Sequence, residues 1–237
     1  MAQSYFIWKN ADCRSMGVIM RNEAPIIRPE ERVSHVTIPG RSGDLTETEG
    51  ENIHNSYIQT ITISVRGGYR VRRIYDWLRG SDYVTFSGEP DRKQAARVIG
   101  AITLNKVSRN LDNWRGEVQF YCQPYKQLLK EESVTITSSG STVRNNGDVA
   151  CRPKFIATAN DTEIIITVGG MQILLLGTTS GTDYIIDSDA MIATNAAGTI
   201  DLTVNTLGVF PVLQPGNNTV TGSGWSKLVI DRRERYL

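Results

Sequence analysis

Apolar and polar residues alternate along most of this chain, and in one place only do apolar residues recur with a helical period. Over residues 57–66, Ile61, Ile63 and Val65 fall on one side and Thr60, Thr62, Ser64 and Arg66 on the other, the two-residue repeat of a half-buried strand. Further strands are expected over residues 5–8, 16–20, 33–38, 83–87, 95–106 and 114–122. Between them, Val71, Ile74, Tyr75 and Leu78 recur at i, i+3, i+4 and i+7 and predict a helix, with Trp77 flanking its stripe. Arg70, Arg72, Arg73, Asp76 and Arg79 fall elsewhere on the wheel. Gly68 suits an N-cap and Gly80 a left-handed closing residue. A lone amphipathic helix among strands must bury its stripe on a sheet.

Residues 33–38 lead into the turn signal Pro39-Gly40-Arg41-Ser42-Gly43-Asp44, and Glu47, Glu49 and Glu51 make the continuation to Asn55 acidic. Residues 33–66 therefore read as two strands joined by a long polar loop, a length that usually carries a task beyond closing a hairpin. The first half is expected to end at Gln123-Pro124-Tyr125, because proline cannot donate within a central strand. The charged stretch 126–132 follows as a linker, giving domains over 1–130 and 131–237. The second half has no helical period. Short strands are expected over 134–137, 154–158, 163–168, 171–176, 184–186, 199–204 and 227–230, with Gly169-Gly170 as a two-residue hairpin turn. Seven short strands in about 100 residues predict an antiparallel sandwich.

Charge narrows the function. The 237 residues carry a net +1, divided as +3 over residues 1–132 and −2 over 133–237. Neither half is basic enough for a nucleic-acid coat. Cys13, Cys122 and Cys151 are widely spaced and belong to no CxxC or Cys/His cluster, so free buried thiols are expected and zinc is not. No apolar stretch approaches the roughly 20 residues of a membrane helix, and the opening MAQSYFIWKN reads as a strand, not a signal peptide, so a soluble protein is expected. The only histidines, His35 and His54, lie in no G-x-S-x-G, H-E-x-x-H or P-loop context and read as surface or inter-subunit polar residues. Asp187-Ser188-Asp189 lacks the remainder of a calcium loop and reads as a plain turn. Arg232, Arg233 and Arg235 read as a solvated tail. No enzyme, cofactor or metal site is expected.

Several of these pieces occur together, in this order, in one family. IPGRSGDL over 38–45, the helix ending in WLRG at 77–80, FSGEPDR over 86–92 and FYCQPY over 120–125 resemble the N-terminal domain of the distal tail proteins of long-tailed, non-contractile bacteriophages. NNGDVACRP over 145–153, YIID over 184–187 and FPVLQPGNN over 210–218 are similar to that family's C-terminal domain. The resemblance implies a mainly β protein with one helix: an N-terminal, β-sandwich-like belt domain followed by a galectin-like antiparallel β-sandwich. It further implies a structural virion protein, assembled in the host cytoplasm. Its homohexameric ring at the tail tip would join the tail tube protein to the tail-associated hub or lysin protein, with receptor-binding or tape measure proteins as further partners. A galectin-like fold does not bring sugar binding with it. The second half has no histidine, and Trp225 is its only tryptophan.

Closing a ring takes two different faces on each protomer. The expected subunit-interface residues are Tyr5, Phe6 and Trp8 on the first strand, Arg41, Glu47, Glu49 and Glu51 on the long loop, and Arg70, Arg72 and Arg73 about the helix. Two other classes compete. A cell-surface carbohydrate-binding module needs an exposed aromatic platform, for which Trp225 and Tyr184 are the candidates. An envelope hydrolase needs a paired carboxylate or a histidine in a cleft, and no spacing supports one.

Overall fold

The computed structural model describes residues 3–48, 50 and 53–237, and the chain divides into two compact units, one ending at Leu129 and one spanning Lys130–Tyr236. The first unit is built of β1 (Phe6–Trp8), β2 (Ala11–Asp12), β3 (Val18–Met20), β4 (Val33–Val36), β5 (Leu45–Thr48), β6 (Tyr57–Arg66), the helix α1 (Val71–Leu78), β7 (Ser81–Phe86), β8 (Arg92–Ile99), β9 (Leu104–Lys106) and β10 (Asn113–Leu128). Eight of the strands form one antiparallel sheet in the order β2-β1-β7-β8-β10-β6-β3, with β9 also on β10. The alternation of β6 delivers Ile61, Ile63 and Val65 to the core, and that of β10 delivers Val118, Phe120 and Cys122.

The helix fills the core as the only α-helix among the described residues, with Ile74 and Leu78 fully buried. Burying two such side chains contributes about 1.5–3 kcal/mol each. The expected stripe is rotated, however. Tyr75 is exposed, and Trp77 packs inward instead, stacked on Phe6 with ring centroids 5.6 Å apart. A 3-10 turn, Gly68–Arg70, leads into the helix, so Arg70 and not Gly68 stands at the cap. The reason for the rotation lies on β1. The Trp8 indole N–H donates to the Trp77 carbonyl at 3.1 Å, and the Trp77 indole N–H donates back to the Trp8 carbonyl at 3.2 Å. Lys9 reaches over to donate to the Arg79 carbonyl. The last turn of a helix leaves carbonyls without intrahelical partners, and β1 supplies donors to them. Lys9 and Asn10 hold φ of 51° and 60°, the double left-handed pair that a two-residue hairpin turn requires between β1 and β2.

Pro124 does not end the first half. β10 runs on to Leu128, and its register against β8 shifts between Cys122↔Ala96 and Lys126↔Gln94, four residues on one strand spanning two on the other. Such a bulge leaves residues out of the ladder, which is where a residue without an N–H is tolerated. The long loop after β4 is also not all loop. β4 and β5 pair as a separate two-stranded sheet.

The second unit is a sandwich of two five-stranded antiparallel sheets. β11 (Val134–Ile136), β12 (Ser141–Asn145), β13 (Lys154–Ala159), β14 (Glu163–Val168), β15 (Met171–Leu176), β16 (Asp183–Asp187), β17 (Ile192–Asn195), β18 (Thr206–Gly208), β19 (Gly216–Ser223) and β20 (Trp225–Asp231) order as β11-β20-β13-β16-β17 and β12-β19-β14-β15-β18. Phe155, Ala157, Ile186 and Ile230 from one sheet meet Ile164, Ile166, Ile173 and Leu175 from the other. Gly169 and Gly170, at φ 57° and 82°, make the expected turn. Residues 199–204 form no strand. The Asn195 side chain accepts the N–H groups of Thr199 and Ile200, and a 3-10 turn, Thr203–Asn205, follows. A side-chain acceptor of this kind diverts the backbone from a ladder.

Leu78→Asp places a carboxylate in the first core. It should cost several kcal/mol, comparable to the net stability of a domain, and unfold that unit. Tyr75→Asp, on the exposed side, should change stability by no more than about 0.5 kcal/mol. Thermal unfolding followed by tryptophan fluorescence separates the two, and a Leu78→Asp variant melting like the parent would remove α1 from the core.

Candidate functional site

The residues expected at a subunit interface divide three ways. Phe6 and Trp8 are 0 % exposed, so their side chains hold the core and offer no surface to a partner. Trp8 meets Phe120 edge-on at 5.3 Å, and Phe6 meets the same ring at 5.7 Å. Phe6 and Trp8 share one face of β1, and the aromatic cluster covers that face. Tyr5 is half-buried, with Arg14 stacked 4.3 Å over its ring and its backbone paired to Ser87.

Arg41 and Glu47 lie on the β4–β5 hairpin, both exposed. Glu49 and Glu51 lie outside the described residues. Glu47 stands opposite Ser34, and Val36 opposite Leu45 closes the ladder before the tip. At the tip Gly40 and Gly43 take φ of 82° and 80°, and Thr37 donates to Asp44 at 2.8 Å. The hairpin has no third strand, and its residues are exposed save for the half-buried Val33 and Leu45. Val36 and Ile38 keep about 40 % of their surface in solvent. A two-stranded hairpin of this kind is marginal by itself in water.

Arg72 and Arg73 are exposed on α1. Arg70 is half-buried and engaged within its own unit. Its guanidinium donates to the Tyr69 hydroxyl at 2.8 Å and lies against Gly17.

Little here is arranged for covalent chemistry. His35 touches the Thr46 hydroxyl at 3.1 Å on the exposed hairpin, and His54 lies 3.4 Å from the Tyr125 hydroxyl. All three cysteines are free and buried. Burial raises the thiol of Cys13 and pushes those of Cys122 and Cys151 up to about 12, which keeps them protonated. Among the described residues no group of His, Cys, Asp or Glu gathers to hold a metal ion. The two aromatics considered for a sugar platform are buried. The Trp225 indole donates to the Ile165 carbonyl, and the Tyr184 hydroxyl accepts the Thr179 N–H.

The C-terminal arginines are not a solvated tail. Arg233 forks onto Asp187 with both contacts at 2.8 Å, Arg235 meets Asp189 at 2.8 Å, and Arg232 pairs with Glu234 at 3.0 Å. Glu234 is 1 % exposed and also accepts from Asn146 and from the Tyr236 hydroxyl. Arg233 itself holds φ 53°, a conformation that the fork fixes. The matched spacing was present in the sequence. Two aspartates two residues apart face two arginines two residues apart. The Asp187-Ser188-Asp189 turn is thereby an anchor for the last strand's extension.

One solved structure covers this arrangement throughout. The crystal structure of the SPP1 Dit protein (gp 19.1), described as a paradigm of the hub adsorption apparatus in phages infecting Gram-positive bacteria, superposes with a TM-score of 0.82 over 100 % of both chains at 17 % identity. The chain has the fold of a phage distal tail protein. No protein-family model and no curated protein sequence matches it. At this identity the likeness is one of fold.

The anchor gives a pH signature. Burial by itself would raise the Asp187 carboxyl, but the Arg233 fork and the backbone N–H of Ala190 outweigh it and hold the group below the ordinary carboxylate range. A carboxyl lowered on folding contributes stability above its unfolded value, and the contribution is lost as pH falls through the folded value. Asp187→Asn should therefore cost about 1–3 kcal/mol at pH 7. The difference from wild type should shrink below about pH 4. Chemical denaturation at the two pH values checks this, and an equal difference at both would mean that the pair carries no linkage.

Proposed function

We propose that this chain is a non-enzymatic structural protein of the tail tip of a long-tailed phage, with its first unit closing into a homohexameric ring. The ring joins the tail tube protein to the tail-associated hub, and the second unit is carried as a galectin-like module beside receptor-binding partners. The single observation that carries the ring is the β4–β5 hairpin. It is an ordered ladder whose side chains find almost no cover within the chain, and a hairpin so placed gains stability when a neighbour supplies the missing face. The full-length fold shared with SPP1 Dit supports the tail-tip setting.

The charges set which surface receives the hairpin. Its acidic stretch carries Glu47, Glu49 and Glu51, and α1 exposes Arg72 and Arg73. An acidic arm of one protomer on the arginine face of the next is a heterologous contact, the kind that closes a ring. Complementary charge of this sort fixes register and partner choice and weakens with salt. Phe6 and Trp8 have no part in it, and Arg70 contributes charge without leaving Tyr69.

The reading is tested by native mass spectrometry and negative-stain imaging. Wild type should populate a ring of six subunits. The triple variant Glu47→Lys, Glu49→Lys, Glu51→Lys should keep its circular dichroism and lose at least tenfold in assembly at low salt, about 1.4 kcal/mol per contact. Adding Arg72→Glu and Arg73→Glu should restore assembly in part. Rings unchanged in the triple variant would show that another surface closes them, and a monomer at every concentration would defeat the ring itself.

A further inference from the structure

The chain holds one Asn-Gly pair, Asn146-Gly147. Packing requires the glycine. A Cβ on Gly147 would stand 2.6 Å from the Arg235 carbonyl oxygen and 2.9 Å from the Arg235 nitrogen, because the segment after β20 crosses over it. The Asp148 N–H donates to that same carbonyl at 2.9 Å, and Val149 bridges to Arg235. A glycine after an asparagine has a chemical consequence. No side chain shields its nitrogen from the asparagine carboxamide carbon, which that nitrogen attacks when both are free to move.

Here both are held by other partners. The buried Gly147 N–H donates to Asn145 Oδ1 at 2.9 Å, and the Asn145 amide is fixed on the carbonyls of Val149 and Leu213 at 3.1 and 3.0 Å. Asn146 is exposed, yet its backbone N–H and its carboxamide nitrogen both donate to Glu234 Oε1, at 2.8 and 3.1 Å. Glu234 already has its cation in Arg232, and Glu131 accepts the Glu234 N–H at 2.8 Å. The C-terminal segment thus covers Gly147 with Arg235 and holds Asn146 with Glu234.

We propose that Asn146 is a deamidation site gated by the C-terminal segment, which makes that segment a one-way clasp. When residues 232–236 lift, the Gly147 nitrogen bonds to Asn146 Cγ and loses its proton. The Cγ–Nδ2 bond breaks, ammonia leaves with that proton, and a cyclic imide remains. Water then opens the imide to aspartate or isoaspartate. The new carboxylate stands where a neutral amide donated to Glu234. A carboxylate accepts and does not donate, so that hydrogen bond is lost and two like charges face each other at a buried site. Isoaspartate also lengthens the main chain by one carbon beneath Arg235. The segment does not re-dock on either product. The inference rests on the second unit alone and holds whether or not a ring forms.

Peptide mapping of the full chain during incubation at mildly alkaline pH tests it, read as the mass gain of deamidation at Asn146. Wild type should react at least roughly tenfold more slowly than the same chain unfolded in urea, since reaction waits on local opening. Arg233→Ala with Arg235→Ala loosens the clasp without altering Asn146 or Glu234, and should bring the rate up toward the unfolded value. Asn146→Asp imitates the product at an exposed position outside the core. It should speed amide hydrogen exchange over residues 232–236 roughly tenfold, and Glu234→Gln in the same chain should reverse that change. Should the double alanine variant unfold, the Asn146→Asp pair decides. Equal rates in folded and unfolded wild type overturn the proposal. So does a folded double variant that reacts no faster than wild type, or unchanged exchange in Asn146→Asp.

Discussion

Two indole rings that trade hydrogen bonds with each other's backbone hold the first unit together. Trp8 and Trp77 are 69 residues apart, and each N–H takes the other residue's carbonyl. The exchange does three things at once. It fixes how α1 is rotated on the sheet, it supplies a donor to the helix's last turn, and it brings Phe6 face-on to Trp77. Phe120 is then enclosed by Phe6, Trp8 and Phe86. With the indole exchange in place, Leu78 and Ile74 have one way to face, and the exposed side of the helix is left to Tyr75 and the arginines.

What was legible in the sequence follows from what each side chain does alone. β13, β14 and β20 read cleanly because their inward positions are aliphatic or aromatic throughout, and β6 reads through Ile61, Ile63 and Val65 although Gln59 also turns inward. β12 and β19 did not, because part of their inward face is amide. Asn145 donates to the carbonyls of Val149 and Leu213, and Asn218 to those of Gln214 and Gly216, so these strands bury polar groups that a hydrophobic pattern counts as surface. The choice of Trp77 over Tyr75 was hidden for a different reason. Periodicity places Tyr75 in the stripe and Trp77 beside it, and only a partner far away in sequence reverses that order. The interface residues divided along the same line. Charge and loop length marked the exposed hairpin correctly as exposed, whereas strand propensity said nothing of the aromatic cluster that takes Phe6 and Trp8 inward.

The chain treats its two irregular extensions in opposite ways. The segment after β20 is pinned by Arg233 on Asp187, by Arg235 on Asp189 and by a buried Glu234, so most of its charged groups are engaged within the second unit. The β4–β5 hairpin is ordered by its ladder and its turn, yet nearly all of its side chains remain in solvent. Internal satisfaction suits a segment that closes a domain.

The strand pairings carry a consequence for synthesis. β1 pairs with β7 some 80 residues later, and β6 waits for β10, which ends at Leu128. In the second unit β11 pairs with β20, nearly 100 residues on. Contacts of such long range make folding slow, because loop closure precedes any reward. A nascent chain therefore carries unpaired strand edges until the last strand of each unit has left the ribosome, and a chain cut short anywhere before Asp231 lacks part of the partner that completes the second sandwich. The first unit's sheet can pair in full once Leu128 has emerged, whereas the second sandwich waits a further hundred residues or so for Asp231.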